Sequence, residues 1–368
     1  MNYYMPTRII IGENCILDNS DKITQLGKRC VIVTGKNSAK KCGALDDVIK
    51  ALGDNCEYAV FDKIQQNPTI SSCIEGGKIA RAFGAEFIIG IGGGSPLDAA
   101  KAIAIFATND INEKQLFSLD IKNSPLKVVA VGTTAGTGSE VTQVGVITAS
   151  DGKKKSFRFD ASYPTLAFGD TKYTDYLPDS VTRSTAVDAL SHCVESYFCK
   201  NSTDISRAYA LRGCKIMLDA ISDICKGKNL DRQLRDRLYI GSILGGLAIS
   251  VTGTAFPHAL GYFLTELHGF AHGTACAFYL PEFLRYNKQN AGDLYNEFVK
   301  VTSFNDEKFE KLISNVISIP KITIEQEEYD ALRERWVNNS CISKMQNKMT
   351  ALELENIIHK CVASQNKL

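Results

Sequence analysis

The segment EFIIGIGGGSPLDAAK, residues 86–101, decides the fold class of this chain. It begins with an apolar run of strand length, predicted as a buried β-strand over 86–91, and continues into three glycines. We predict a helix start after them, with Ser95 as N-cap, Pro96 at the first helical position and Asp98 completing a capping box. Glycines in front of a helix N-terminus favour a bound phosphate, while a tight turn without a ligand is the alternative.

Short apolar strands alternate with helical patterns on both sides of this segment. That alternation is typical of an α/β fold with a mostly parallel sheet. The predicted strands cover 29–33, 57–61 and 127–131, and the predicted helices cover 38–52 and 70–83. The first half of the chain is therefore predicted to be an α/β domain.

A second loop of small residues, GTTAGTGSE at 132–140, follows the strand predicted at 127–131. Alone it could be a plain turn. Because the carboxyl ends of parallel strands meet at one edge of a sheet, two such loops favour a ligand crevice there. The first loop is not the G-x-G-x-x-G fingerprint, since Ser95 stands where the last glycine counted from Gly90 would be, so we do not expect a standard dinucleotide fold.

From about residue 179 the pattern changes to long helical stretches without convincing β alternation. No Pro/Gly/Ser-rich linker separates the halves, so the change of pattern alone places the boundary near Leu177 and Pro178. We predict an α/β domain over 1–178 and an all-helical domain over 179–368. The predicted helices of the second domain cover 179–198, 205–225, 231–249, 256–265 and 274–287.

Length and composition narrow the functional classes. A chain of 368 residues with 44% apolar residues and a net charge of +1 is typical of a globular protein of two domains, and argues against nucleic acid as a partner. It has no apolar run of about 18 residues and no signal-peptide pattern at its start, so we expect a cytoplasmic protein without a membrane partner. Twelve cysteines without a Cys-x-x-Cys pair are expected to be reduced thiols, none of them beside the histidines except Cys193.

Four of the five histidines fall between residues 192 and 272, which indicates a metal site. Asp188 and His192 are four apart in a predicted helix and share one face of it. His258 and His272 are fourteen apart, and Gly269 and Gly273 predict a turn between two helices that brings both imidazoles inward. Three imidazoles and one carboxylate leave a divalent ion with an open position, as in catalytic sites, and either Fe²⁺ or Zn²⁺ fits such donors.

The other two histidines are less informative. His268 is four residues before His272 and forms a rival pair with it, or is an ordinary core histidine. His359 is expected at the surface. Bulky side chains near the histidines, at Phe256, Tyr262 and Phe263, are consistent with a pocket for a small apolar substrate or with ordinary core.

Taken together, these motifs resemble those of the iron-containing (group III) alcohol dehydrogenases. The resemblance extends over nearly the whole chain, and its motifs are specific only in combination. It implies an α/β domain that binds a nicotinamide cofactor, a helical domain that holds the metal, an active site in the cleft between them, a dehydroquinate synthase-like architecture and a homodimer. The motifs are GGGSPLDAAKAIA (92–104), TTAGTGSEVT (133–142), DALSHCVESY (188–197) and HALGYFLTELHGFAHG (258–273).

The resemblance also implies roles for particular residues. The family's metal ligands map onto Asp188, His192, His258 and His272. The cofactor contacts map onto Asn67 beside the adenosine half, Gly92, Gly93, Gly94 and Ser95 at the pyrophosphate with Asp98 nearby, and Thr133, Thr134, Thr137 and Ser139 on the nicotinamide side.

The chain departs from the family pattern after its first predicted strand. Relatives that prefer NAD often carry an acidic residue there, which binds the ribose 2′-hydroxyl and repels a 2′-phosphate. This chain has Gly35, followed by Lys36 and, two residues on, Ser38. A cation and a hydroxyl in place of an acid favour NADP(H) over NAD(H), unless Lys36 is only a solvated loop charge.

A second departure concerns the proton. Many members have a further histidine four residues after the ligand at His258, often assigned to proton transfer, whereas this chain has Tyr262. A phenol with a pKa near 10 is a poorer proton shuttle at neutral pH. Proton transfer then runs through Tyr262 with its pKa lowered, His268, water or the ribose hydroxyls, or Tyr262 only shapes the pocket.

The predicted activity is a metal-dependent alcohol dehydrogenase or aldehyde reductase acting on small substrates. One alternative on the same scaffold is a lyase or cyclase like dehydroquinate synthase, which would line its cleft with Lys and Arg for a phosphorylated substrate. Another is a metal hydrolase, which leaves both glycine loops without a role. A non-catalytic binding protein is disfavoured because all four metal-ligand positions are present.

Overall fold

The structure, a computed structural model, describes residues 3–337, 339–347 and 349–364. It divides into two compact units at the bond between Leu177 and Pro178. The strands of the first unit are β1 (Arg8–Ile11), β2 (Arg29–Thr34), β3 (Glu57–Phe61), β4 (Phe87–Gly92), β5 (Lys127–Gly132), β6 (Val144–Thr148), β7 (Lys154–Arg158) and β8 (Leu166–Gly169). Its helices are α1 (Ser20–Thr24), α2 (Ser38–Lys41), α3 (Ala44–Leu52), α4 (Ile70–Phe83), α5 (Gly94–Thr108) and α6 (Glu113–Ser118).

Six of these strands form one parallel sheet in the order β1-β8-β5-β4-β2-β3, while β6 and β7 form a separate antiparallel hairpin. Alternate residues of β2 point to opposite faces, as the two-residue period of a strand requires: Cys30 and Ile32 pack with α3, and Val31 and Val33 pack with α4 and α5. Helices therefore cover both faces of the sheet. The carboxyl ends of β2, β4 and β5 lie at one edge, where the loops of interest begin.

Two local predictions in this unit are wrong. The helix predicted over 38–52 is two helices, because Gly43 adopts a left-handed φ of 81° and interrupts it. Helix α5 begins at Gly94 with Gly93 as N-cap, two residues earlier than predicted, and no side chain caps it. Ser95 therefore is not the N-cap, and Asp98 completes no capping box.

The second unit contains helices and, among the residues described, no strand, which confirms the predicted fold class of an α/β domain followed by an all-α domain. The predicted helix over 179–198 has these bounds, and the next four predicted helices differ from the structure by at most three residues at either end. The last four helices were not predicted. The helices are α7 (Asp179–Phe198), α8 (Asp204–Cys225), α9 (Arg232–Thr252), α10 (Phe256–Leu267), α11 (His272–Asn290), α12 (Gly292–Thr302), α13 (Asp306–Val316), α14 (Gln326–Val337) and α15 (Ala351–Ser364).

Within the described ranges, no single helix is both long and apolar enough to cross a membrane. Among the described helices, α9 and α10 are long and apolar enough when taken together, but the chain bends by 105° between them.

Candidate metal and cofactor sites

Three imidazoles of the helical unit converge on one carboxylate oxygen, Asp188 Oδ1. Asp188 and His192 lie one turn apart on the buried part of α7. His258 lies in the first turn of α10, and His272 is the first residue of α11. The distances from Asp188 Oδ1 to the Nε2 atoms are 3.8 Å for His192, 3.5 Å for His258 and 3.6 Å for His272. The structure thus brings together the four residues predicted as metal ligands.

These distances fit a divalent cation at the centre of the cluster. A tetrahedral ion with bonds of about 2.1 Å separates its ligand atoms by about 3.4 Å, close to what is observed. In the described part of the chain neither Asp188 Oδ1 nor His258 Nε2 has a hydrogen-bond partner, although both are buried. Such atoms cost free energy unless something pairs with them, and a cation would do so.

The ionisation of the Asp188 carboxyl group is suited to binding a cation. Burial opposes ionisation of the carboxyl group, but the imidazoles of His192, His272 and His258 outweigh that effect and hold its pKa well below the usual range. The imidazoles are packed tightly, with His192 stacked on His258 at a centroid distance of 4.7 Å and His258 edge-on to His272 at 5.1 Å. The site therefore brings one carboxylate and three imidazoles together at close range.

Two glycines position His272. Gly269 adopts a φ of 69° in the turn between α10 and α11, as the predicted turn requires. Gly273 is not a turn residue but lies within α11. A Cβ added there would be 1.9 Å from the backbone oxygen of Ser184. A side chain there is excluded by α7 itself, so Gly273 allows α11 to approach α7 one turn before Asp188.

A cysteine lies beside the histidines, contrary to the sequence-based expectation. The thiol of Cys276, buried one turn after His272 on α11, has its sulfur within 4.8 Å of ligand atoms of Asp188, His258 and His272. Burial raises the pKa of this thiol. The spacing of four between His272 and Cys276 was the signal that could have revealed it. All twelve cysteines are free, as expected of reduced thiols.

The remaining aromatic and histidine candidates occupy different surroundings. Tyr262 stacks on His272, with a centroid distance of 5.6 Å and an interplanar angle of 12°. His268 ends α10, where its Nε2 lies 3.1 Å from Glu328 and its ring meets Phe263 edge-on. His359 is 54% exposed, as predicted for a surface residue.

Two of the three bulky residues considered for a substrate pocket are core residues instead. Phe256 is fully buried against Phe283 and Tyr286, and Phe263 is buried against Trp336. Only Tyr262 is partly exposed. Phe256 and Phe263 therefore carry no information about substrate size.

In the first unit the two predicted loops lie side by side at the carboxyl ends of β4 and β5. The backbone N–H of Thr133 donates to Gly92 O at 2.9 Å. An added Cβ at Gly93 would be 3.0 Å from Thr134 Oγ1, and one at Gly94 would be 2.7 Å from Thr137 Cγ2. Glycine is therefore needed in the first loop so that the threonines of the second loop can pack against it.

The N-terminus of α5 remains open to an anion, since no side chain caps it. Ser95 Oγ accepts a hydrogen bond from Asn67 N at 3.2 Å, and Asn67 has a left-handed φ of 58°. The predicted adenosine-side residue thus lies next to the glycine loop.

Asp98 and Ser139 take part in a buried network. Ser139 Oγ donates to Asp98 Oδ1 at 2.6 Å, and Val146 N donates to Asp98 Oδ2 at 3.0 Å. Lys101, one turn further along α5, is fully buried and donates to the backbone oxygens of Ser139 and Val144, both at 2.7 Å. Burial lowers the pKa of Lys101 to about 8, against the opposing effect of nearby carboxylates. This network fastens α5 to the second loop.

Lys101 was missed by the sequence analysis. Its spacing of three from Asp98 on a helix was the available signal. Gly35, Lys36 and Ser38 follow β2 at the same edge of the sheet, and both Lys36 and Ser38 are exposed.

Family models cover both units. One described as iron-containing alcohol dehydrogenase matches residues 6–171, and one described as the C-terminal part of the Fe-containing alcohol dehydrogenase family matches residues 182–362. The chain belongs to the iron-containing alcohol dehydrogenases. The resemblance read from the motifs is thereby confirmed, and this iron-containing alcohol dehydrogenase is an oxidoreductase acting on alcohols.

Individual relatives agree with this membership. The dehydrogenase is 32% identical to a 1,3-propanediol dehydrogenase of Klebsiella pneumoniae over 78% of its own length and 73% of the relative's. A crystal structure of an iron-containing alcohol dehydrogenase from Thermotoga maritima superposes with a TM-score of 0.91, at 33% identity, covering 98% of this chain and 99% of that one. A sulfoacetaldehyde reductase from Bifidobacterium kashiwanohense in complex with NAD⁺ gives 0.89 at 27% identity, covering 99% of each chain.

Membership in this family also distinguishes between the classes of activity considered from the sequence. An oxidoreductase acting on alcohols is supported, whereas the lyase, hydrolase and non-catalytic alternatives are not. The family implies a bound metal and a nicotinamide cofactor. The candidate metal site comprises Asp188, His258 and His272, whose ligand atoms lie within 4.8 Å of one another and of Cys276 Sγ, and His192 Nε2 lies 3.8 Å from Asp188 Oδ1.

Proposed function

We propose that this enzyme interconverts small alcohols and aldehydes with NADP(H) as the favoured cofactor and Fe²⁺ as the metal, Zn²⁺ being the alternative ion. Asp188, His192, His258 and His272 would hold the metal. The observation that supports this assignment is the ring of three imidazole nitrogens around Asp188 Oδ1. A homodimer and a cytoplasmic location are proposed from family resemblance alone, and light scattering would test the former.

When bound, the metal supplies Lewis-acid polarisation of the substrate oxygen, and the nicotinamide accepts or donates a hydride. The chain's own residues provide the positioning. The open N-terminus of α5 and the amides of Gly92, Gly93 and Gly94 would bind the pyrophosphate, with Ser95 and Asn67 beside them. Thr133, Thr134 and Thr137 would line the nicotinamide side, while Asp98 and Ser139 hold the second loop in place through Lys101.

The test is a turnover assay with the purified protein. Absorbance of NADPH and NADH would be followed with short aldehydes, and that of NADP⁺ and NAD⁺ with short alcohols including 1,3-propanediol. Each reaction would be run with the metal-free protein and after addition of Fe²⁺ without oxygen, or of Zn²⁺. Metal-dependent turnover of at least one short substrate is expected, and equal turnover by metal-free protein would contradict the proposal.

Cofactor preference is predicted to depend on the residues after β2. Lys36→Ala should lower the ratio of kcat/KM with NADPH to that with NADH by about tenfold or more, because a charge-assisted hydrogen bond to the 2′-phosphate contributes about 1.5–3 kcal/mol. Gly35→Asp should act in the same direction by repelling that phosphate. The new Cβ would be 3.3 Å from Ile64 O, so the substitution needs only a small adjustment.

Lys50→Ala, which removes an exposed lysine of α3, is the matched control and should leave the ratio unchanged. An unchanged ratio in Lys36→Ala would show that Lys36 is a solvated loop charge. Both cofactors have to be compared, because the similar sulfoacetaldehyde reductase was solved in complex with NAD⁺.

Tyr262 is proposed as the proton-transfer residue, because its ring lies against a metal ligand while His268 is engaged with Glu328. Tyr262→Phe keeps the stacked ring and removes only the hydroxyl. We expect kcat to fall by about tenfold or more, within the range known for general acid–base groups, while the metal content stays unchanged. His268→Ala is expected to retain most of kcat. The opposite result in the two variants would transfer the role to His268.

A further inference from the structure

We propose that Glu195 is a positioning residue of the metal centre, whose carboxylate holds His258 in the tautomer that presents an unprotonated Nε2 toward Asp188. The proposal rests on the proposed metal site. Glu195 lies on α7, two turns after Asp188, and its side chain is completely buried. Nothing in the sequence patterns had singled it out.

Three donors surround this carboxylate. Glu195 Oε1 lies 2.5 Å from His258 Nδ1 and accepts from Ser191 Oγ, also at 2.5 Å. Glu195 Oε2 accepts from Ala255 N at 2.6 Å. Ala255 is the N-cap of α10, and its own side chain cannot cap that helix. One carboxylate therefore fixes both the start of α10 and the ring of the ligand in its first turn.

The chemistry of the acceptor decides the tautomer of His258. The carboxylate already accepts from Ser191 Oγ and Ala255 N, and it acts as the acceptor toward Nδ1 of His258 as well, so Nδ1 carries a hydrogen. In the neutral ring, the form that binds a metal, Nε2 then keeps its lone pair. Nε2 then lies 3.5 Å from Asp188 Oδ1 with no hydrogen-bond partner in the described ranges, as a metal ligand requires.

A carboxylate behind a histidine ligand orients the ring and makes the imidazole a stronger donor, and its loss usually costs 10–100-fold in metal affinity. Glu195→Gln tests this with almost no change of shape. If the amide oxygen faces Ala255 N, the amide NH₂ faces His258 Nδ1. The hydrogen of His258 is then displaced to Nε2, where it can be donated to Asp188. The metal-free variant is therefore expected to remain folded while its site is blocked.

The experiment measures Zn²⁺ affinity of the full-length metal-free protein by competition with a chelator. We expect Glu195→Gln to bind Zn²⁺ about 10–100-fold more weakly, with a nearly unchanged melting temperature in the metal-free state. Ser191→Ala is the matched control, because it removes a donor to the same carboxylate and leaves the bonds to His258 and Ala255. Its Zn²⁺ affinity should change only a few-fold.

A spectroscopic readout on the wild type does not depend on any variant folding. With only five histidines in the chain, ¹⁵N-histidine labelling of the metal-free wild type allows each imidazole tautomer to be identified by NMR. At a pH at which the ring of His258 is neutral, we expect its Nδ1–H tautomer in the wild type and its Nε2–H tautomer in Glu195→Gln. An Nε2–H tautomer in the wild type, or unchanged Zn²⁺ affinity in Glu195→Gln, would overturn the role of Glu195.

Failure of the wild type to bind Zn²⁺ or Fe²⁺ at all is a separate outcome, because it would refute the proposed metal centre itself. A carboxylate that merely stabilised the fold would give a third pattern, in which Glu195→Gln melts at a lower temperature while the tautomer of His258 is unchanged. That pattern also overturns the proposal.

Discussion

Asp188→Asn is expected to yield a folded protein that retains neither iron nor zinc and has no measurable turnover. Asp188 Oδ1 is the atom around which the three imidazole nitrogens gather, at 3.5–3.8 Å, and it is the only anionic donor among the four proposed ligands. Since loss of a group behind a ligand costs 10–100-fold in affinity, loss of the anionic ligand itself should cost more than about 100-fold. His272→Ala is expected to act in the same direction.

The measurements are metal content after gel filtration, Zn²⁺ affinity by chelator competition, and turnover. NADPH binding should persist, because the proposed cofactor residues belong to the other compact unit. His359→Ala, at an exposed histidine beside Tyr329 on α15, is the control and should keep both metal and activity. One equivalent of tightly bound metal in Asp188→Asn would show that the ligands have been assigned wrongly.

Gly273→Ala is expected to have the largest effect on stability of the glycine-to-alanine substitutions in this unit. Its Cβ would be 1.9 Å from Ser184 O and 2.7 Å from Ser184 C, which are backbone atoms that cannot rotate away. Either α11 or α7 must therefore shift, at a cost of about 3 kcal/mol or more in the free energy of unfolding. Since His272 and Asp188 lie on these two helices, Zn²⁺ affinity should fall as well.

Gly292→Ala is the matched control, because Gly292 begins α12 with open space around its Cβ position and no left-handed φ. It should leave stability unchanged or raise it by about 0.5–1 kcal/mol, as expected for alanine in place of a helical glycine. Denaturant unfolding of both metal-free variants makes the comparison. Equal stability of the two would contradict the close approach of α11 to α7.

Elements with a clear period were predictable from the sequence. The strand at 57–61 and the helices at 70–83 and 179–198 have the predicted bounds, because period-two and period-3.6 patterns reflect burial of one face or stripe. The short strands β1 and β8 were missed. Each has only four residues, and they pair with each other across about 160 positions of sequence, which no local pattern records.

The start of α5 shows a different limit. Serine is a favoured N-cap residue, but the Ser95 hydroxyl accepts a hydrogen bond from Asn67 N, and the helix already begins at Gly94. Local preference was overridden by a contact with a residue 28 positions earlier. The aromatic residues Phe256 and Phe263 were equally ambiguous, since only packing distinguishes a pocket wall from the core.

By itself the sequence determined the fold class and the family. It also determined that Asp188 and His192 lie on one face of a helix, because a spacing of four residues within a single helix does not depend on packing against other elements. Only the tertiary structure decided which histidines converge, since the distances that join α7, α10 and α11 depend on packing between helices. It separated His268, paired with Glu328, from the three imidazoles around Asp188. It also placed Glu195 behind His258 and Cys276 beside it, because contacts between residues far apart in the chain leave no local pattern.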